Sequence, residues 1–242
     1  MPYVNNNGQK LFITDDKFIQ LLMRDYNALS AELLKYGILT SVGGEGFVAY
    51  MTTLKPEETA ADIRATEILR RLPDGELVGA EIGVFAGELS KRLLSREDIV
   101  LNLVDSWTTN PVGDYADSED FHANLTQEQQ DGFYELTKQV VEFAGPRAKI
   151  IRQDSVAAAN EFANGALDFV FIDADHSYSG CKADLEAWYP KVKKNGIFSG
   201  HDYENTDYTK FGVKKAVDEF ADKHGLTVEL GDNFTWFIRK PI

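Results

Sequence analysis

The sequence predicts an open, doubly wound α/β sheet of seven strands, mostly parallel, ending in an antiparallel strand pair and preceded by N-terminal helices. Three observations lead there. Beyond Pro73-Asp74-Gly75, short apolar runs alternate with helical stretches, which is the pattern of βαβ units around a parallel sheet. The last two apolar runs are separated only by Gly231-Asp232-Asn233, a sequence that reverses the chain. A chain of 242 residues, 43% of them hydrophobic, has the material for one sizeable core, and that excludes a disordered protein.

In order along the chain, residues 15–37 place Phe18, Leu21, Leu22, Leu29, Leu33 and Leu34 near the helical period, with Asp15 or Asp16 to cap and Gly37 to stop. A glycine-rich stretch, SVGGEGFVAY, follows. A second helix starts at Pro56, a good first-turn residue, and puts Ala65, Ile68, Leu69 and Leu72 on one face. Strands are expected at 77–82, 99–104, 148–151, 167–172 and 196–199, then at 227–230 and 234–239. Helices are expected at 88–95, within 127–143, and at 155–162, 178–189 and 211–224. Residues 1–55 then form a helical appendage or lid, and 56–242 the main domain. Within it, 106–140 is an acidic insertion. From Asp105 through Glu135 there are eight acidic residues and no Lys or Arg, the composition of a solvated helix face or of a lid over the second βα connection.

Charge narrows the partners. Lys and Arg number 25 against 39 Asp and Glu, a net charge of −14, which disfavours nucleic-acid backbones and anionic membranes. Cys181 is the single cysteine, so neither an intrachain disulfide nor a cysteine-based zinc site is available. No apolar run approaches the roughly 18 residues of a membrane span, and MPYVNNNGQK lacks a signal-peptide core. The expectation is a cytoplasmic globular protein.

Chemistry-bearing residues fall at strand ends, where open α/β sheets bind ligands. The turn Glu81-Ile82-Gly83-Val84-Phe85-Ala86-Gly87 runs from a strand into a helix. A dinucleotide fingerprint needs a glycine where Phe85 stands, and Glu81 repels phosphate, so the turn suits a cofactor with cationic groups and no phosphate, or is only a tight packing turn. Asp105, 18 residues beyond Gly87, ends the second strand as a ribose acceptor or a helix cap. Trp107 stacks on a base or sits in the core. Asp154 and Ser155 either contact an adenine or cap the helix that follows. Asp173 and Asp202 end the fourth and fifth strands. They can share a hard divalent cation, or His176 or His201 can act as general base toward a substrate hydroxyl, or the cluster only orders two turns.

These turns, with FIDADHSY at 171–178, KADLEAW at 182–188 and GIFSGHDY at 196–203, resemble the class I S-adenosylmethionine-dependent methyltransferases. The series is similar to a small-molecule subgroup, many of whose members act on sugars or other hydroxylated metabolites, and it covers about residues 76–240. The resemblance implies a Rossmann-like sheet, S-adenosyl-L-methionine as cofactor and O-methylation of a small acceptor. It implies cofactor binding by Glu81, Gly83, Phe85, Gly87, Asp105, Ser106, Trp107, Asp154, Ser155 and Asp173, with Asp173, His176 and His201 as catalytic candidates. In catechol-type O-methyltransferases the aspartates at these two strand ends bind magnesium, so Asp173 and Asp202 are implied ligands for magnesium or manganese. That family places an asparagine after the second aspartate. Tyr203 stands there instead, and His176 or His201 is left to substitute, a nitrogen that favours manganese, iron or zinc. Residues 1–55 and 108–140 carry the acceptor contacts, and the N-terminal amphipathic helix offers a face to a second subunit. An NAD-type dehydrogenase and a non-catalytic cofactor-binding scaffold are the competing readings.

Overall fold

The structure is a computed structural model that describes residues 2–4, 10–12, 59–109, 121–205 and 210–242. The chain divides into two compact units, Met1–Ala60 and Ala61–Ile242. In the first, β1 (Pro2–Val4) pairs antiparallel with β2 (Lys10–Phe12), Tyr3 opposite Leu11. The helix expected over 15–37 and the glycine-rich stretch lie outside the described residues.

The rest follows the alternation read from the sequence. Helix α1 (Ala60–Leu69) leads into β3 (Leu77–Ile82), α2 (Glu88–Leu94), β4 (Ile99–Asp105), α3 (Gln127–Val141) and β5 (Ala148–Arg152). Then come α4 (Ser155–Ala159), β6 (Leu167–Ile172), α5 (Tyr178–Trp188), β7 (Val192–Gly200), α6 (Val213–His224), β8 (Glu229–Leu230) and β9 (Trp236–Arg239). The seven-stranded sheet has the order β5-β4-β3-β6-β7-β9-β8. Its first five strands are parallel; β9 runs antiparallel to both β7 and β8. It is the predicted Rossmann-like sheet with its antiparallel C-terminal pair.

Helices cover both faces, which is why the inner strands read as unbroken apolar runs rather than alternating ones. On one face Leu185, Trp188, Val217 and Phe220 from α5 and α6 pack on Ile82, Val104 and Phe198. On the other, Ile68, Leu93 and Val141 from α1, α2 and α3 pack on Leu103, Phe169 and Phe171. Asn102 is a buried polar residue within β4, and its side-chain amide donates to the Gly79 carbonyl at 2.9 Å. Strand β7 begins at Val192, four residues earlier than expected, because the exposed Lys194 and Asn195 carry no strand signal in sequence. Lys193 there reaches Asp168 at 2.8 Å.

The lateral order reverses between β3 and β6. After β3 the chain builds outward through β4 and β5, then returns to the opposite side of β3. A switch of this kind opens a crevice at the carboxyl ends of the two strands. Among the described residues no helix is long and apolar enough to cross a membrane.

Candidate active site

Gly83 starts the first turn at φ +85, and a Cβ there would lie 1.9 Å from the Asp173 carbonyl oxygen. The ends of β3 and β6 therefore touch through backbone, and only glycine permits it. The amides of Val84 and Phe85 both donate to Asp105 Oδ2 at 2.9 Å, and the Trp107 amide donates to Oδ1 at 2.8 Å. Asp105 thus ties the first turn to the end of β4. The Phe85 carbonyl accepts from Trp107 Nε1 and Thr137 Oγ1, each at 2.9 Å. Trp107 is wholly buried, so its indole belongs to the core and braces the turn from beneath. The Phe85 ring faces Phe133 at 4.1 Å and His122 at 4.7 Å, both from the acidic insertion, whose residues 110–120 lie outside the described set. Ser106 is half-buried, its carbonyl accepting from Thr108 Oγ1 at 3.0 Å, and Gly87 takes φ +76 where the turn enters α2.

Glu81 is buried, accepting from Ser90 Oγ at 2.5 Å. Burial pushes its carboxyl up to about 8, so it keeps its proton at neutral pH until a cation approaches. At the end of β5, Asp154 caps α4 by accepting from the Ala157 amide at 2.9 Å. Ser155 Oγ accepts from Trp188 Nε1 at 2.9 Å and donates to Asp184. Burial pushes Asp184 up to about 7. Asp184 lies on α5 in a stretch whose sequence marks its hydrophobic positions but gives no sign that this carboxyl is inside.

The second cluster joins the ends of β6 and β7. His176 Nε2 lies 3.2 Å from Asp173 Oδ1 and 2.9 Å from Asp202 Oδ2. His201 Nδ1 lies 3.5 Å from Asp173 Oδ1 and 2.9 Å from Asp202 Oδ2. Burial opposes charge on the two carboxyls, but the imidazoles outweigh it and hold both well below the usual carboxylate range. Burial likewise disfavours charge on His201, and the two aspartates outweigh it, pushing the imidazole up to about 9. The His176 ring stacks on Phe211 at 4.5 Å. Asp202 sits at φ +59, and its Oδ1 accepts from Asn205 Nδ2 at 2.5 Å.

Asp173, His201 and Asp202 each offer one ligand atom, and these atoms lie within 4.8 Å of one another. Cis donors about 2.1 Å from an octahedral ion are about 3 Å apart, so the 2.9 and 3.5 Å separations fit a divalent cation. Tyr203, in the asparagine position, is turned away: its ring is buried and its hydroxyl bonds Asp218 and Lys214. His201 is placed where it could offer a third donor instead.

The predicted residues therefore gather at one edge of the sheet, along the ends of β3, β4, β5, β6 and β7. Sequence reasoning missed Arg64, whose Nη1 lies 3.4 Å from His201 Nε2, and Asn233, whose Oδ1 lies 3.3 Å from the same nitrogen. Arg64 occupies a helix position that reads as solvent-facing, and Asn233 reads only as a turn residue.

A family described as a methyltransferase domain matches residues 80–203, which span β3 through the cluster after β7. The calicheamicin methyltransferase superimposes with a TM-score of 0.61 at 15% identity, covering 95% of this chain and 94% of that one. Its apo form, described as a TDP-rhamnose 3′-O-methyltransferase, gives 0.55 at 14% identity, covering 95% and 96%. A Staphylococcus aureus protein described as a candidate caffeoyl-CoA O-methyltransferase gives 0.52 at 16%, covering 89% and 100%. An uncharacterised protein of Sinorhizobium fredii is 26% identical over 118 residues, 49% of this chain; the match spans 11% of that relative's length.

Proposed function

From the premise that this chain belongs to the class I S-adenosylmethionine-dependent methyltransferase family, we propose that it methylates a hydroxyl oxygen of a small metabolite such as a sugar, with a divalent cation held by Asp173, His201 and Asp202. The convergence of those three side chains beside the switch-point crevice carries the reading. The cofactor lies over the Gly83–Gly87 turn, where Phe85 denies space to a pyrophosphate. Asp105 faces the ribose, and the Asp154-Ser155 corner faces the adenine. The insertion 106–140 closes over the crevice, supported by the packing of His122 and Phe133 on Phe85.

Methyl transfer is an in-line displacement: the carbon–oxygen bond forms as the carbon–sulfur bond breaks, and the electron pair stays on sulfur. The protein contributes alignment. A cation bound here acidifies the acceptor hydroxyl as a Lewis acid. Asp173 and Asp202 suit magnesium or manganese, and the His201 nitrogen tilts the set toward manganese. Against the cost of burial, Asp173 and Asp202 raise the His201 imidazole to about 9, so it must release its proton before it can either ligate a cation or act as a base toward the acceptor hydroxyl.

The test measures S-adenosylhomocysteine release over a panel of sugars and other hydroxylated metabolites. Asp173→Asn and Asp202→Asn should each lower turnover by roughly a hundredfold or more while leaving cofactor affinity within about threefold. A chelator should inhibit the wild type, with manganese or magnesium restoring it. An inert chelator combined with a large loss in His201→Ala would replace the cation by a histidine base.

A further inference from the structure

Arg64 lies on α1, half-buried, and its Nε is buried with no hydrogen-bond partner. Orphaned buried donors are rare enough to require an explanation. Its Nη1 lies 3.4 Å from His201 Nε2, a nitrogen that also faces Asn233 Oδ1 at 3.3 Å and cannot donate to Asn233 while accepting from Arg64. The other described arginines are occupied. Arg70 and Arg71 bind Glu67, Arg92 binds Asp62, Arg96 binds Asp98 and Arg152 binds Asp131, while Arg147 and Arg239 donate to backbone carbonyls. Among the described residues Arg64 is the arginine left without a carboxylate or carbonyl acceptor, at strand ends that also carry Glu81, Asp105, Asp173 and Asp202.

A crevice rich in acids with one unsatisfied guanidinium is complementary to an α-amino acid group, whose ammonium and carboxylate share one carbon. We propose that Arg64 binds the carboxylate of the cofactor's methionyl moiety, while the neighbouring acids favour its ammonium. The fork of the guanidinium matches a carboxylate with two parallel bonds, and the incoming anion gives the orphaned Nε an acceptor. The inference rests on the methyltransferase reading and assigns a recognition residue within it. On this assignment Arg64 is a cofactor-binding residue on the helix preceding the first sheet strand, outside the loops that carry the other contacts.

The experiment compares S-adenosylmethionine with decarboxylated S-adenosylmethionine, which keeps the ammonium and sulfonium and lacks only the carboxylate. Calorimetry on the wild type should show the carboxylate improving affinity by about 10- to 100-fold. In Arg64→Met that ratio should fall to within about threefold of unity, with affinity for the decarboxylated compound unchanged; Arg64→Lys should recover part of it. A wild type that does not distinguish the two compounds overturns the assignment even if Arg64→Met fails to fold. A full ratio retained in Arg64→Met also overturns it, and places Arg64 on an anionic acceptor if KM for acidic acceptors rises in that variant. Failure of the wild type to bind either compound overturns the methyltransferase reading itself, a result distinct from loss of the Arg64 assignment.

Discussion

Asp184 shows how one buried carboxyl can write a pH dependence into the fold. Its ordinary value near 3.8 is pushed up to about 7 by burial, while the Ser155 hydroxyl donates to it and in turn accepts from Trp188. A raised folded value means the native state holds a proton the unfolded chain has released. The contribution to stability is complete below about pH 4 and disappears as pH rises to about 7. Asn cannot ionise and still accepts from Ser155, so Asp184→Asn should gain on the wild type as pH rises from 5 to 7 and then level off, by at most about 3 kcal/mol at roughly 1.4 kcal/mol per unit. Urea melts at several pH values measure it; parallel curves for the two proteins would mean Asp184 ionises freely in the fold. The sequence announces Asp105, Asp173 and Asp202 because a carboxylate closing an apolar run is visible in one dimension. Arg64 and Asp184 are not visible that way. Each sits on a helix, and its role comes from groups far along the chain, His201 for one and Ser155 for the other.

At the scale of elements, the β3 turn and the end of β6 behave as one unit through Gly83. A methyl group at that position would meet the Asp173 carbonyl at 1.9 Å, on a backbone at φ +85. Gly83→Ala should cost about 2–4 kcal/mol in urea unfolding and weaken cofactor binding, since the β6 end must shift to make room. Stability within about 0.5 kcal/mol of wild type would show that the two strand ends move apart easily. The central strands were legible for a physical reason: buried on both faces, they select apolar side chains at every position. Legibility faded where strands reach the rim. The early start of β7 runs through Lys193, Lys194 and Asn195, and backbone pairing there owes nothing to an apolar pattern. The final reversal was placed correctly at Gly231-Asp232-Asn233, yet it extends to Thr235, whose carbonyl accepts from the Gly231 amide at 2.9 Å. Asn233 and Phe234 both take positive φ in that loop, a conformation that no propensity for Phe anticipates. That loop is also what delivers Asn233 to His201, so the same irregularity that hid the turn hid a residue of the site.

For the whole molecule, net charge and the side chains at the strand ends point to the same ligand class. A chain of net charge −14 whose strand ends carry Asp105, Asp173 and Asp202 favours a cationic cofactor over a phosphorylated one. The switch between β3 and β6 alone does not choose, because the same sheet topology serves dinucleotides. The choice is made by side chains: Phe85 where a pyrophosphate needs glycine, and a buried acid at Glu81. Ligand binding to the native state stabilises it by about 2.7 kcal/mol at a hundredfold excess over Kd, which for a domain of this size raises Tm by roughly 5–10 °C. S-adenosylhomocysteine should produce a shift of that order, and NAD or ATP at the same concentration should move Tm by less than about 1 °C. Salt separates the cause further. If the acidic rim attracts the cofactor through its positive groups, S-adenosylmethionine should lose affinity with rising ionic strength more steeply than S-adenosylhomocysteine, which lacks the sulfonium charge. A shift with NAD equal to that with S-adenosylhomocysteine would mean that Phe85 yields to a pyrophosphate, and the dehydrogenase reading of this sheet would then outrank the methyltransferase one.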